Sequence, residues 1–504
     1  MSQEEADLAD VCGPGASEFA PPPLRIPGVT REELWAWHAA PGALERLMPP
    51  FDPAEVVGRS EPFSLGDGTL TLAAPLPVLG ALGLRLKITG RHSAHGFCEG
   101  HRFMDTMADF PFAAYAHAHV MSDPEESQDK APSAQLVDRL RFRLIGGALG
   151  NLVGGMVLRS KFQAMFRYRH AVTREDLLLH ARCGWRLRGL SVAVTGATGL
   201  LGSSLVPTLT TGGAHVIRVG RGRQERAVAG ASASSWDPVA GVVDTEALEG
   251  CEAVVHLAGR SIAKAPYRWT ARAKQEIYES RVQGTRVLCE ALAKMRQPPK
   301  VLVMASGVSY YGDTRGAVSR DGGKAVDESG SKGSGADFLA GVVEDWEAAA
   351  EPARAAGIRV VFLRYGMVLS PAGGALALML PVFGACAGGR LGNGEQYLPW
   401  ISLDDAVGSI VHAICAGDAL TGPVNVVGPV PATNAEFTQA LGGALWRPAV
   451  IPVPRGVLRT LLGQFADETL LLDQKLRPAA LLRSGYCFRH EAVGEALRHL
   501  LGSA

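Results

Sequence analysis

"VAVTGATGLLGSSLVPTLTTGGAHVIRVGR" runs from Val192 to Arg221 and begins more than a third of the way into a chain of 504 residues. An apolar run ends at Gly196, and glycines recur at Gly199 and Gly202. A helix-compatible stretch follows, then a second apolar run. The pattern predicts a strand (191–195), a glycine turn, a helix (201–209) and a second strand (215–219). Each glycine has a physical task. Gly196 permits the tight turn, and Gly199 lets backbone N–H groups approach a diphosphate. Gly202 lets the helix pack close on the sheet with its electropositive end aimed at the phosphates. The backbone of Thr198, Leu200 and Leu201 completes this cradle, which is the signature of a dinucleotide site.

The end of the second strand selects the nucleotide. A carboxylate there bonds the ribose hydroxyls of NAD, whereas an arginine accommodates the extra phosphate of NADP. The chain reads "VGRGRQER", with Arg221, Arg223 and Arg226 and no acid before Glu225. A guanidinium is a forked donor suited to phosphate, so NADP(H) is expected over NAD(H).

The remainder of this half alternates apolar runs of four to seven residues with amphipathic helices. Strands are expected at 253–257, 301–305 and 359–364, and helices at 277–294 and 342–356. This is the pattern of a doubly wound parallel sheet covered on both faces. The stretch 370–389 carries no charge, but Pro371 and Pro381 interrupt it, so it is expected to be a loop with a short buried helix and not a membrane span. Gln474, Lys475 and Arg477 are expected on a solvated face.

The first third has a different texture. Residues 1–20 are polar and expected to be a disordered tail. From 21 to 185 a capped helix start (Thr30, with Glu33 at the box position) precedes alternating strand-like runs and a long terminal helix, an α+β order. His92, His95, His101, His117 and His119 lie on or near those strands. Their spacing fits strand alternation better than a ligand set, so surface or hydrogen-bonded roles are expected and no metal site. Lys plus Arg equals Asp plus Glu at 50 each, which argues against a nucleic-acid partner. The eight cysteines form no C-x-x-C pair, and the acidic N-terminus is no signal peptide. A cytoplasmic protein with a small-molecule partner is expected. The oligomeric state is not readable.

From Leu190 onward the motifs "VTGATGLLG", "VVHLAGRSI", "SRVQGTRVL", "ASGVSYYGD", "DFLAGVVEDWE" and "GGRLGNGEQYLPWISLDD" resemble the extended short-chain dehydrogenase/reductase superfamily. Within it they resemble the atypical NAD-dependent epimerase/dehydratase-like group with its own C-terminal extension. The resemblance implies an NADP-binding Rossmann domain over 188–430 and a helical extension over 431–504. It places Leu257, Ala258 and Gly259 on the adenosine side and Arg281 near the cofactor. It also places Tyr365, Gly366 and Val368 beside the nicotinamide, and Asn393, Gln396 and Trp400 on the substrate side. In front, "VTREELWAWHAAPGALERLMPP" and "FRYRHAVTREDL" resemble START-like, polyketide-cyclase-like (SRPBCC) helix-grip domains, which implies a module over 21–185 that binds a hydrophobic ligand.

The family's usual engine is Tyr-x-x-x-Lys with a serine. Here Phe338 and Val342 occupy those two positions, and neither can carry a proton. Two readings stay open. An oxidoreductase or epimerase could use a relocated phenol, Tyr311 or Tyr310, partnered by Ser306 or Ser309 and assisted by Asp313. Alternatively, the domain binds NADP(H) without turnover, as a sensor or regulator.

Overall fold

The computed structural model describes residues 3–60, 63–75, 85–94, 96–124, 132–220, 231–263, 268–334 and 337–503. The chain divides into two compact units, 1–184 and 185–504.

The first unit begins with helix α1 (Gln3–Cys12), then β1 (Ser17–Phe19), β2 (Leu24–Pro27), α2 (Arg31–Ala39) and α3 (Ala43–Leu47). Six strands follow: β3 (Glu55–Arg59), β4 (Gly68–Pro75), β5 (Arg85–His92), β6 (Arg102–Met107), β7 (Phe112–Ser122) and β8 (Ser133–Leu144). The 36-residue helix α4 (Gly147–Arg182) closes the unit. The strands form one antiparallel sheet in the order β1-β8-β7-β6-β5-β4-β3, with β2 also on β8. The strict alternation of buried and half-buried residues along β8 marks one face turned to a core. Phe19, Phe112 and Phe142 from the strands meet Phe162 and Phe166 of α4 there. Thr30 caps α2 in a full capping box with Glu33. The expected disordered tail over 1–20 is corrected. Leu8 and Cys12 are buried among Met104, Ala114, Ala116 and Ala118, and that apolar face, sparse in sequence, orders the helix.

The second unit is a Rossmann-like α/β fold. Its elements are β9 (Ser191–Thr195), α5 (Leu200–Thr211), β10 (His215–Gly220), β11 (Ala231–Asp237), β12 (Val242–Val243), β13 (Ala253–His256), α6 (Ala271–Ala293), β14 (Val301–Gly307), α7 (Arg315–Arg320), α8 (Phe338–Ala348), α9 (Glu351–Ala355) and β15 (Arg359–Tyr365). Then come β16 (Met367–Leu369), α10 (Gly374–Gly384), β17 (Tyr397–Leu398), β18 (Trp400–Ser402), α11 (Leu403–Cys415), β19 (Gly422–Val426), β20 (Ala432–Thr433), α12 (Asn434–Leu445), α13 (Arg455–Leu462), α14 (Ala479–Arg483) and α15 (Val493–Leu501). The main sheet runs β12-β11-β10-β9-β13-β14-β15-β19, parallel except where the short β12 pairs antiparallel with β11. Chain order reverses between β9 and β13. That switch point opens a crevice beyond the carboxyl ends of both strands, where ligands bind in open α/β sheets.

Two expectations shift here. The helix expected over 342–356 is two pieces, because Pro352 fits the first turn of a new helix better than the interior of an old one. The uncharged stretch holds α10, of which only one side is buried, through Leu376 and Phe383. Leu378 and Val382 are about half exposed, at 50% and 47%. No described helix is long and apolar enough to cross a membrane.

Candidate functional site

The glycine turn lies at the switch point. Gly196 has φ +67°, and a Cβ there would stand 2.9 Å from the backbone of Leu257 and Ala258. A Cβ on Gly202 would stand 2.2 Å from Gly196 O and 2.6 Å from Ala197 Cα. Gly199 is the N-cap of α5 and offers no side-chain cap, and the first turn holds no acid. The N–H groups of Leu200, Leu201 and Gly202 therefore point out of the helix start without intrahelical acceptors. This is a cradle sized for main chain, with an electropositive end. Leu200 packs against Gly373, so the segment after β16 lies beside the helix start.

The loop after β13 is held by a buried polar chain. Thr195 Oγ1 accepts from Leu257 N (3.2 Å) and Ala258 N (3.3 Å) and lies 2.8 Å from His256 Nδ1. With both lone pairs taken, Thr195 donates its proton to Nδ1. That assigns the Nε2–H tautomer of His256, which donates to Thr285 Oγ1 at 3.1 Å. Trp346 Nε1 donates to the same Thr285 oxygen. Burial pushes His256 down to about 4, so the ring stays neutral. Sequence reading placed the 257–259 loop but not the Thr195–His256–Thr285 chain that fixes it.

Arg281 on α6 borders this loop. Its Nη1 donates to Arg260 O at 2.9 Å and to Ile277 O at 3.3 Å, and its guanidinium lies over the Trp346 ring. Burial lowers its pKa, and among the described residues no carboxylate pairs with it. A half-buried cation without a counter-charge beside a phosphate-type cradle suits an anionic ligand. Arg221, Arg223 and Arg226 lie outside the described residues. Tyr365 donates to Ala406 O at 3.3 Å. Gly366 is pinned where a Cβ would meet Pro399 O at 2.2 Å, and Val368 lies in β16.

The candidate proton-transfer residues come together, but as a closed network. Glu347 on α8 accepts from Ser306 Oγ (2.6 Å), Arg364 Nε (2.8 Å) and Arg364 Nη2 (2.7 Å). Arg364 Nη1 donates to Tyr311 OH at 3.0 Å, and that hydroxyl donates to Asn425 Oδ1 at 2.8 Å. Tyr311 is buried, and burial pushes its phenol up to about 12 against the pull of Arg364. It is a structural station with both of its hydrogen-bonding roles engaged. Tyr310 is half-buried, with the Arg364 guanidinium 3.6 Å from its ring centroid. Asp313 is taken up by Arg315.

The C-terminal extension supplies parts that the sequence did not announce. Glu468 accepts from the N–H groups of Phe338 (3.1 Å) and Leu339 (2.8 Å), a carboxylate capping the start of α8 where the usual tyrosine would stand. Trp269 and Phe465 pack edge-on around that start, Trp269 touching both Phe338 and Phe465 at 5.5 Å. Val342 is buried. Gln474, expected on a solvated face, is buried instead. Its amide donates to Val308 O and Gly312 O, both at 3.0 Å, and so braces the turn that carries Tyr310 and Tyr311. The residues expected on the substrate side separate. Trp400 is core, with Nε1 bonded to Val430 O. Gln396 is buried between Leu391 O and Leu470 O. Asn393 sits in an exposed turn bonded to Glu395.

Comparison with known proteins gives this geometry a family. Residues 192–428 match the model of the NAD dependent epimerase/dehydratase family, and residues 453–500 match a domain of unknown function, DUF1731. An epimerase family protein of Mycobacterium bovis is 44% identical over 306 residues, 61% of this chain and 96% of that protein. The human epimerase family protein SDR39U1 is 37% identical over 314 residues, 62% of this chain and all of its own length (100%). The crystal structure of a nucleoside-diphosphate sugar epimerase from Corynebacterium glutamicum matches 97% of this chain and 90% of its own, with TM-score 0.73 and 31% identity. The crystal structure of human SDR39U1 (isoform 2) with NADPH matches 62% of this chain and 99% of its own, with TM-score 0.54 and 34% identity. The glycine cradle, the switch point and the extension that caps α8 are thus those of a chain that belongs to the NAD dependent epimerase/dehydratase family.

Proposed function

We propose that the second unit binds NADP(H) and acts as an oxidoreductase or epimerase on a small molecule. The observation that carries this is the Gly196–Gly202 cradle, where side chains are excluded by backbone at 2.2–2.9 Å and helix-start N–H groups face the crevice. Thr198, Gly199, Leu200, Leu201 and Gly202 would hold the diphosphate. Leu257, Ala258, Gly259 and Arg281 would frame the adenosine side, and Tyr365, Gly366 and Val368 the nicotinamide side. When bound, the cofactor supplies hydride transfer. Arg221 is assigned to the 2′-phosphate, and the NADPH in the human relative supports that choice. Replacing Arg221 by Asp removes charge-assisted bonds of about 1.5–3 kcal/mol. It is expected to weaken NADPH about 10- to 100-fold in a fluorescence titration while NADH changes little. Equal losses would remove the phosphate role.

With Tyr311 tied to Arg364 and Asn425, Tyr310 is the phenol assigned to proton transfer. In a screen of NADPH oxidation against carbonyl compounds, Tyr310→Phe is expected to lower turnover about 10²-fold or more. The exposed Leu378 and Val382 on α10, whose start approaches Leu200 of the glycine helix, favour a hydrophobic substrate over a sugar nucleotide. The second reading, NADP(H) binding without turnover, is favoured by the Glu468 cap and the aromatic wall at Phe338. It predicts tight binding and no turnover with any carbonyl.

The first unit is proposed to be a helix-grip ligand-binding module. The long α4 laid along an antiparallel sheet, with five phenylalanines between them, supports that reading. Mass spectrometry of small molecules that co-purify with the full chain tests it, and an empty front unit would count against it.

A further inference from the structure

We propose that Asp105, His117 and His119 in the first unit form a binding site for a first-row divalent transition metal ion, with Asp138 orienting both imidazoles. The strand register brings the groups together. His117 and His119 alternate on β7 and share one face. Asp105 of β6 lies directly opposite His117, Asp138 of β8 directly opposite His119, and His92 of β5 opposite Asp105. Residues in such cross-strand pairs project to the same side of a sheet, so four strands deliver imidazoles and carboxylates to one spot.

The distances suit an ion. One ligand atom from each of Asp105, His117 and His119 can be chosen so that all lie within 4.8 Å of one another. His119 Nε2 is 3.5 Å and His117 Nδ1 is 3.8 Å from Asp105 Oδ2. Tetrahedral bonds of about 2.0–2.1 Å to zinc place neighbouring ligand atoms about 3.3 Å apart, so only small side-chain shifts separate this arrangement from coordination. The far side of each ring is already turned to one carboxylate. His117 Nε2 is 3.0 Å and His119 Nδ1 is 2.7 Å from Asp138 Oδ1, while His170 of α4 holds the other Asp138 oxygen at 2.7 Å. A carboxylate behind metal-binding imidazoles fixes their orientation and raises their basicity.

His119 is held by packing as well as by Asp138, whose Oδ1 lies 2.7 Å from its Nδ1. Its ring is stacked on Phe103 at 4.1 Å, which keeps Nε2 turned to Asp105. His117 and Asp138 are both 2% exposed, but the Asp105 side chain is 29% exposed, which leaves an entry path. Two nitrogens and one oxygen match Zn²⁺ or Fe²⁺ and leave coordination positions for water or a small oxygen ligand. Of the two roles expected from the sequence, His117 and His119 take the hydrogen-bonded one, buried against Asp138; the proposal adds a metal ion to that arrangement. His95 lies outside the described residues.

The test uses the full chain, stripped of metal, with Co²⁺ as probe. One equivalent is expected to bind with visible ligand-field absorption, to be displaced by Zn²⁺ and to raise the melting temperature. Asp138→Asn keeps all three ligands and is expected to weaken Co²⁺ about 10- to 100-fold. Asp105→Asn, at a part-exposed position that leaves folding least disturbed, is expected to weaken it at least as much. The far-ultraviolet circular dichroism of both metal-free variants should match wild type, which confirms that the first unit stays folded. Absence of stoichiometric Co²⁺, or wild-type Co²⁺ binding in both variants, would overturn the site and leave the cluster a buried hydrogen-bond network.

Discussion

Gly202→Ala is expected to reduce NADPH affinity at least about 100-fold and to destabilise the second unit by about 1–3 kcal/mol. The new methyl would stand 2.2 Å from Gly196 O and 2.6 Å from Ala197 Cα. Both are backbone atoms, so neither can swing aside as a flexible side chain would. The start of α5 must move off the sheet, and the N–H groups of Leu200, Leu201 and Gly202 move with it. The neighbouring glycines give a graded comparison. Gly196→Ala adds strain at φ +67° as well as a 2.9 Å approach to Leu257 and Ala258, so it should lower both stability and affinity. Gly199→Ala meets only Gly196 O, at 3.3 Å, so it should spare stability and act on affinity through close approach of the diphosphate. Urea unfolding and NADPH titration of the three variants read the two effects separately. Equal stability losses across the series would contradict this geometry.

Glu347→Ala is expected to cost about 3–5 kcal/mol, the range for removing one partner of a buried ion pair. The variant leaves the Arg364 guanidinium, with its side chain 4% exposed, without its bidentate carboxylate, and it leaves the Ser306 hydroxyl without an acceptor. Replacing both partners by apolar residues, as in Glu347→Leu with Arg364→Met, removes the uncompensated charge. This double variant should be more stable than the single one. Tyr311→Phe deletes one hydroxyl from the same network and should cost only about 1 kcal/mol. If the single Glu347 variant unfolds at the wild-type urea midpoint, the network is a surface ornament and Tyr311 regains its candidacy as a free phenol.

The glycine turn, the parallel strands and the absence of Tyr-x-x-x-Lys were legible because they are local. Gly196, Gly199 and Gly202 sit within seven residues, and strand periodicity is carried by neighbours. Contacts that join distant parts of the chain were not legible. Glu468 caps Phe338 from 130 residues away, and Gln474 reaches Val308 from 166 away. No local pattern distinguishes them from solvated polar residues. The chemistry of Tyr311 is plain in the sequence, yet its engagement is set by Asn425 on β19 and Arg364 on β15. The partners of the front histidines were hidden for a related reason. Alternation along β7 was visible, but the register that sets Asp105 and Asp138 opposite His117 and His119 was not. The helix at 3–12 leaves little trace in the sequence because its apolar face is small, being anchored mainly by Leu8 and Cys12.

Equilibrium titration of the wild-type chain with NADPH, followed by nucleotide fluorescence, is the decisive measurement. Saturable binding of one NADPH per chain with Kd at or below about 100 µM, and tighter than for NADH, is the predicted result. No saturable binding of either nucleotide at millimolar concentration would contradict it.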